Sequence, residues 1–265
     1  MEHVLENYNE WNDKLYEEYK ELFHNVKYTI WDGVVFPEHY AMSPLKIMFL
    51  NREPYDPIFA EYDLAIEGLQ EGLVSGKIIF EGQKNLRKRL KEYLCVLNLL
   101  KSGELMTISD NELMERVEIV TSSDLIFNEM LPSVAYLNVK KSDGQYPSCI
   151  PNLQKYAIQG KSILKKQIEY FNPSIILGGN VVNGILEYID DIWNETALYV
   201  PEGKRRICIW QLNVGDKLIP FVDMYHPSAI RGMSEYYLEL FHALKEVERT
   251  HPGYWETRLN IPCFK

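Results

Sequence analysis

Two rhythms of hydrophobic and polar positions run along the chain, and the switches between them mark its elements. Val4, Leu5, Tyr8, Trp11, Leu15, Tyr19, Leu22 and Phe23 recur at three- and four-residue steps between acids, which predicts an amphipathic helix. Tyr28 to Glu38 reads as an aromatic turn around Asp32-Gly33, closed by Pro37 and expected to pack as a flap beside the first strand. Lys46 to Leu50 is an unbroken apolar run of the kind that forms a fully buried strand. It breaks at once into Asn51, Arg52, Glu53, Tyr55 and Asp56, bracketed by Pro54 and Pro57. Proline cannot continue a sheet ladder, so the strand must stop near Asn51.

Further along, Glu61 to Gly72 is acidic and weakly helical, and Lys77 to Phe80 is a short apolar run. Lys84 to Leu100 predicts a strong helix with Lys84, Arg87, Lys88, Arg89 and Lys91 on one basic face. Such a face is read as solvated, with a phosphate-facing surface as the alternative. Asp110 to Val120 reads as a helix capped by Ser109 or Asp110. Val134 to Val139 is the next strand, and Asn152 to Phe171 reads as one long helix stopped by Pro173. Ser174 to Gly179 reads as a buried strand ending in a Gly-Gly turn, followed by a helix over Asn180 to Trp193. Two more strands, Ile207 to Leu212 and Pro220 to Met224, flank a Gly215-Asp216 turn, and a closing helix covers Ser234 to Arg249.

Strands alternating with helices predict an α/β fold. The expected form is a three-layer αβα sandwich around a central, mostly parallel sheet of four to five strands. Without repeat or linker, residues 1–265 read as a single domain. Residues 1–43 form an N-terminal helix and aromatic flap, and 44–250 form the core.

Composition adds constraints. A charge of −10 argues against a generic nucleic-acid coat, since phosphate binding is driven by Lys and Arg. The excess is uneven: the first 24 residues hold seven acids against two lysines. The acidic helix is therefore expected to lie away from any phosphate-facing site, whose surroundings should be neutral to positive. Cys95, Cys149, Cys208 and Cys263 are scattered, so no metal site and no cofactor is expected, and free thiols in a reducing compartment are the reading. No apolar run approaches the roughly 18 residues that span a bilayer, and Met1 is followed by acidic helical sequence. The expectation is a soluble, cytoplasmic chain with no membrane partner.

Three strands end in polar clusters: Asn51–Asp56, Asn138–Ser142 and His226–Arg231. In a parallel sheet these carboxyl ends share one edge, where ligands of open α/β sheets bind. A carboxylate (Glu53), an amide (Asn138) and an imidazole (His226) there make a general hydrolytic set, which by itself names no substrate.

These segments resemble the uracil-DNA glycosylase superfamily. That family carries Gly-Gln-Asp-Pro-Tyr-His after its first core strand, where this chain has Asn51-Arg52-Glu53-Pro54-Tyr55-Asp56. Tyr136-Leu137-Asn138-Val139 is similar to the strand bearing the family's base-reading asparagine, and His226-Pro227-Ser228-Ala229-Ile230-Arg231 to its His-Pro-Ser-Pro-Leu-Ser loop. Phe171 to Gly179 resembles the family's Pro-x-hydrophobic-Gly strand. The likeness spans roughly 44–248, in order. It departs at Glu53, aspartate in the family, and at Asp56, histidine there.

The resemblance implies a DNA glycosylase cleaving the N-glycosidic bond of uracil or a related lesion during base-excision repair, with single- or double-stranded DNA as partner. Glu53 and His226 would be catalytic: Glu53 holds water or stabilises the oxocarbenium-like sugar, and His226 stabilises the departing base. Tyr55, Phe80 and Asn138 would bind the base, by closing the pocket, stacking, and reading its edge. Arg52, Lys140, Ser228, Ile230 and Arg231 would contact DNA, with Ile230 as the wedge filling the vacated stack. Two other readings stay open: a catalytically inactive, glycosylase-like nucleic-acid-binding module, and an enzyme acting on a free nucleoside or nucleotide.

Overall fold

The computed structural model describes residues 7–54, 62–63, 83–123, 125–142, 149–182, 185–188, 195–202, 207–225 and 236–259. In chain order the elements are α1 (Tyr8–Leu22), β1 (Ile30–Trp31), β2 (Gly33–Val34), α2 (Pro37–Met42), β3 (Ile47–Asn51), β4 (Tyr62–Asp63), α3 (Gln83–Ser102), α4 (Asp110–Ser122), α5 (Leu125–Met130) and β5 (Val134–Asn138). They continue as α6 (Ile150–Gln159), α7 (Lys161–Phe171), β6 (Ile175–Gly179), β7 (Glu195–Tyr199), β8 (Cys208–Val214), β9 (Lys217–Met224), α8 (Tyr236–Thr250) and α9 (Tyr254–Leu259). No helix among the described residues is long and apolar enough to cross a membrane.

The fold is α/β, but the sheet differs from the expected one. It is mixed and has seven strands, ordered β2-β5-β3-β6-β9-β8-β7. Its inner four, β5-β3-β6-β9, are mutually parallel, whereas β2, β8 and β7 join antiparallel. Two causes account for β8 and β2. The Gly215-Asp216 turn, with Gly215 at φ +59°, closes β8 directly onto β9, and so short a link permits only antiparallel pairing. At the other edge, β2 is two residues long and too short to give a periodic signal.

Side chains of the parallel strands alternate between two apolar layers. Ile47, Phe49, Val134 and Tyr136 enter the cluster built with α3, α4, α5, α8 and α9, while Met48, Leu50, Ala135 and Leu137 enter the cluster shared with α6 and α7. β3 is buried at every position, which is why its sequence is an apolar run rather than an alternation.

Several expected elements change. The helix expected over Asn152–Phe171 is two helices, α6 and α7, meeting at Gly160 (φ −87°, ψ 8°). The residues described over 180–193 form only a short 3₁₀ turn at Leu186–Tyr188. Asn180 takes a left-handed φ of +60° and donates its amide to Met224 O, so the chain turns aside after β6. The flap packs on β5 rather than on the first core strand, with Gly33 and Val34 opposite Tyr136 and Ala135.

Arg87, Arg89 and Lys91 of the basic face of α3 are engaged inside the protein, while Lys88 is exposed. Buried Lys91 donates to Thr121 O and Ser123 O at the end of α4, Arg89 pairs with Glu92 at 2.6 Å, and Arg87 lies over the Phe127 ring. This face braces α4 and α5, a role its local pattern does not reveal.

Candidate functional site

The four parallel strands end level with one another. Asn51 of β3 is in register with Asn138 of β5 and Gly179 of β6, and Gly179 with Met224 of β9. From β3 the chain goes to α3 on one face, and from β6 to Ile185 and Leu186, which pack into the opposite layer. A change of face between neighbouring parallel strands marks the carboxyl edge as the usual ligand position in such sheets. Arg52 spans that point, its Nε donating to Asn180 O.

Pairing of β3 with β5 runs past the strand ends, since Val139 N donates to Asn51 O and Lys140 N to Arg52 O at 2.8 and 2.9 Å. Glu53 and Lys140 are thereby brought together, Nζ to Oε2 at 3.3 Å, with both side chains buried. The Lys140 ammonium also lies 5.3 Å from the centre of the Tyr156 ring. It therefore sits at the carboxylate instead of on an outer, phosphate-facing surface. Burial lowers the pKa of Arg52, opposed by the neighbouring Glu53 charge.

Glu53 Oε1, Asn138 Nδ2, and both Nδ2 and Oδ1 of Asn51 are buried without a hydrogen-bond partner among the described residues. Buried polar atoms in native proteins nearly always have partners, and a cluster of exceptions is a feature of ligand sites. Each such atom costs about 1–3 kcal/mol of desolvation if nothing binds it. Here four of them gather at one sheet edge.

Behind this edge lies a feature that sequence reasoning missed. Asp32, just before β2, is 1% exposed, and Lys141 is 2% exposed. Lys141 Nζ donates to Asp32 Oδ1 and Oδ2 at 2.7 and 2.9 Å and to Asn138 O at 2.9 Å. Asp32 Oδ2 accepts from Asn138 N at 2.7 Å, and Oδ1 accepts from Tyr16 Oη and Gln167 Nε2. The backbone of Asn138 is thus clamped on both sides, its N–H by the carboxylate and its C=O by the ammonium. Tyr19 Oη accepts from Lys141 N and Ile30 N donates to Lys141 O, fixing the turn beyond β5. Burial lowers the pKa of Lys141, and the Asp32 charge and hydrogen bond oppose that. Burial first, and Asp32 second, push the Tyr16 hydroxyl well above the usual tyrosine range.

The N-terminal segment is therefore part of the site's support. α1, expected far from the site, sends Tyr16 and Tyr19 to the Asp32–Lys141 pair, and its acids face outward. β1 also pairs with β4, so the flap touches the chain beyond the Glu53 loop as well.

Of the residues singled out in the sequence, Arg52, Glu53, Asn138 and Lys140 come together at the edge. Tyr55, Asp56, Phe80, His226, Ser228, Ile230 and Arg231 lie outside the described residues. The strand leading to His226 ends at Met224 on this same edge, and Tyr225 leaves from there. Among the described residues no group of three or more His, Cys, Asp or Glu is placed to hold a metal ion. No family model, curated protein or solved structure matches the chain.

Proposed function

We propose that the chain is a DNA glycosylase that hydrolyses the N-glycosidic bond of uracil or a related lesion in DNA. The observation that carries the reading is the meeting of Glu53 and Asn138 at the carboxyl edge, with Oε1 and Nδ2 left for a ligand. In this reaction the bond from C1′ to the base nitrogen breaks, and its electron pair leaves with the base. Water adds to C1′, and its proton passes to Glu53 or to the base. Lys140 holds one oxygen of Glu53 in place, which leaves Oε1 for the water or the sugar cation. Asn138, its backbone clamped by Asp32 and Lys141, offers a side-chain amide in a fixed position to the base edge. His226, one residue beyond Tyr225, would donate to the departing base as its negative charge grows. A uracil-DNA glycosylase-like core over 44–250 is part of the same proposal, supported by the four parallel strands and the order of the three loops.

One observation favours a second reading. The Lys140 ammonium on Glu53 offsets the negative charge that would face a sugar cation, as suits a binding module that has kept its pocket and lost its chemistry. Incubation with uracil-containing single- and double-stranded oligonucleotides, then alkali cleavage of abasic sites, decides between them. A glycosylase yields cleaved product, and His226→Ala lowers the rate by about 10²–10³ with little change in binding. Wild type and Glu53→Asp both inert on every uracil substrate, yet still binding DNA, would leave the binding module standing.

A further inference from the structure

Asn51 has no role in the resemblance, where glycine stands at its position. Strand alternation puts Asn51 on the α3 and α8 side of the sheet with Phe49, and Asn138 on the same side with Tyr136. The two are direct register partners, so their side chains stand next to each other. The next position in the row is Gly179, which contributes no side chain beside Asn51. Asn51 is 0% exposed and Asn138 2% exposed.

The unpartnered atoms of this pair are Asn138 Nδ2, Asn51 Oδ1 and Asn51 Nδ2. In hydrogen-bonding terms they supply a donor, an acceptor and a donor. The edge of a flat cyclic imide, as in a pyrimidine-2,4-dione, presents the complement: carbonyl, N–H, carbonyl. Cytosine presents an amino donor followed by two acceptors, which meets these atoms only with Asn51 Nδ2 turned next to Asn138, whereas the imide requires Asn51 Oδ1 in that middle place. We propose that Asn51 is a specificity-determining residue that reads an imide edge together with Asn138. This rests on the functional reading above and deepens it, since it divides recognition between two amides.

An amide kept for a ligand is a burden on the free protein, because nothing pairs with it before binding. Asn51→Leu, close in size and without polar atoms, should therefore raise the melting temperature of the free chain by about 2–4 °C. It should also weaken binding of free uracil by about 10- to 100-fold in calorimetric titration, and erase the preference for uracil over cytosine. Asn51→Ala carries the same affinity test should leucine pack badly. A structural asparagine would behave in the opposite way, with Asn51→Leu lowering the melting temperature and uracil affinity unchanged in Asn51→Ala. That result overturns the role of Asn51 and leaves the site reading intact. Wild-type protein that binds uracil no better than cytosine overturns both.

Discussion

Replacing Asp32 with asparagine tests whether the buried pair behind the site holds the fold as its geometry requires. The change keeps shape and removes one charge, leaving the Lys141 ammonium at 2% exposure without its anion. Breaking a buried pair by removing one partner costs about 3–5 kcal/mol, since the remaining charge is desolvated and uncompensated. Against a total stability of about 5–15 kcal/mol that is a large fraction. With urea slopes of about 2–3 kcal/mol/M, the unfolding midpoint should fall by about 1–2.5 M. Adding Lys141→Met should restore much of the loss, because an Asn–Met pair leaves no buried charge.

The pH dependence carries the sharper test. Burial already draws Lys141 below the usual lysine range, and Asp32 opposes that. Without Asp32 the folded variant holds this proton still less tightly, while the unfolded chain keeps a value of about 10.4. Between the folded and unfolded values the unfolded state binds more protons, so the variant's stability rises with pH, by at most about 1.4 kcal/mol per unit. Tyr16 and Tyr19 are both pushed upward and stay protonated over this range. The gap between wild type and Asp32→Asn should therefore narrow from pH 7 to pH 9.5 in parallel urea titrations. A gap that stays flat or widens, or a double variant no better than the single, would refute the account.

Two further predictions concern packing and capping. In Gly178→Ala the new Cβ would lie closer to Cζ of the fully buried Phe221 ring than van der Waals contact allows, so thermal melts should show a loss of about 1–3 kcal/mol. Ser109 and Glu112 form a reciprocal cap at the start of α4, so Ser109→Ala should cost about 1 kcal/mol in chemical denaturation.

Much of the scaffold is local and therefore legible in the sequence. The run through Leu50 broken by Pro54 fixes where β3 ends, and Ser109 with Glu112 fixes where α4 begins. Gly215-Asp216 sets the hairpin of β8 and β9. Each of these rests on neighbours within a few residues, whose conformational preferences act before any tertiary contact forms. The gathering of Glu53 and Asn138 at one edge also follows from reading polar clusters after apolar runs, since parallel strands end on the same side.

Other features depend on residues that meet only when the chain is packed. Asp32 and Lys141 are 109 positions apart, and in sequence one is a turn residue and the other half of a lysine doublet. β2 is two residues long and owes its place to the open edge of β5. The basic residues of α3 read as a solvated face, which Lys88 keeps, but tertiary packing set the end of α4 against Lys91 and the Phe127 ring against Arg87. Asn51 looked like the end of a strand. Its importance comes from having Asn138 and Gly179 on either side, and from no partner reaching its amide. Local patterns determine where strands and helices start and stop. Which charges are buried together, and which polar atoms are left without partners, depends on packing summed over the whole chain.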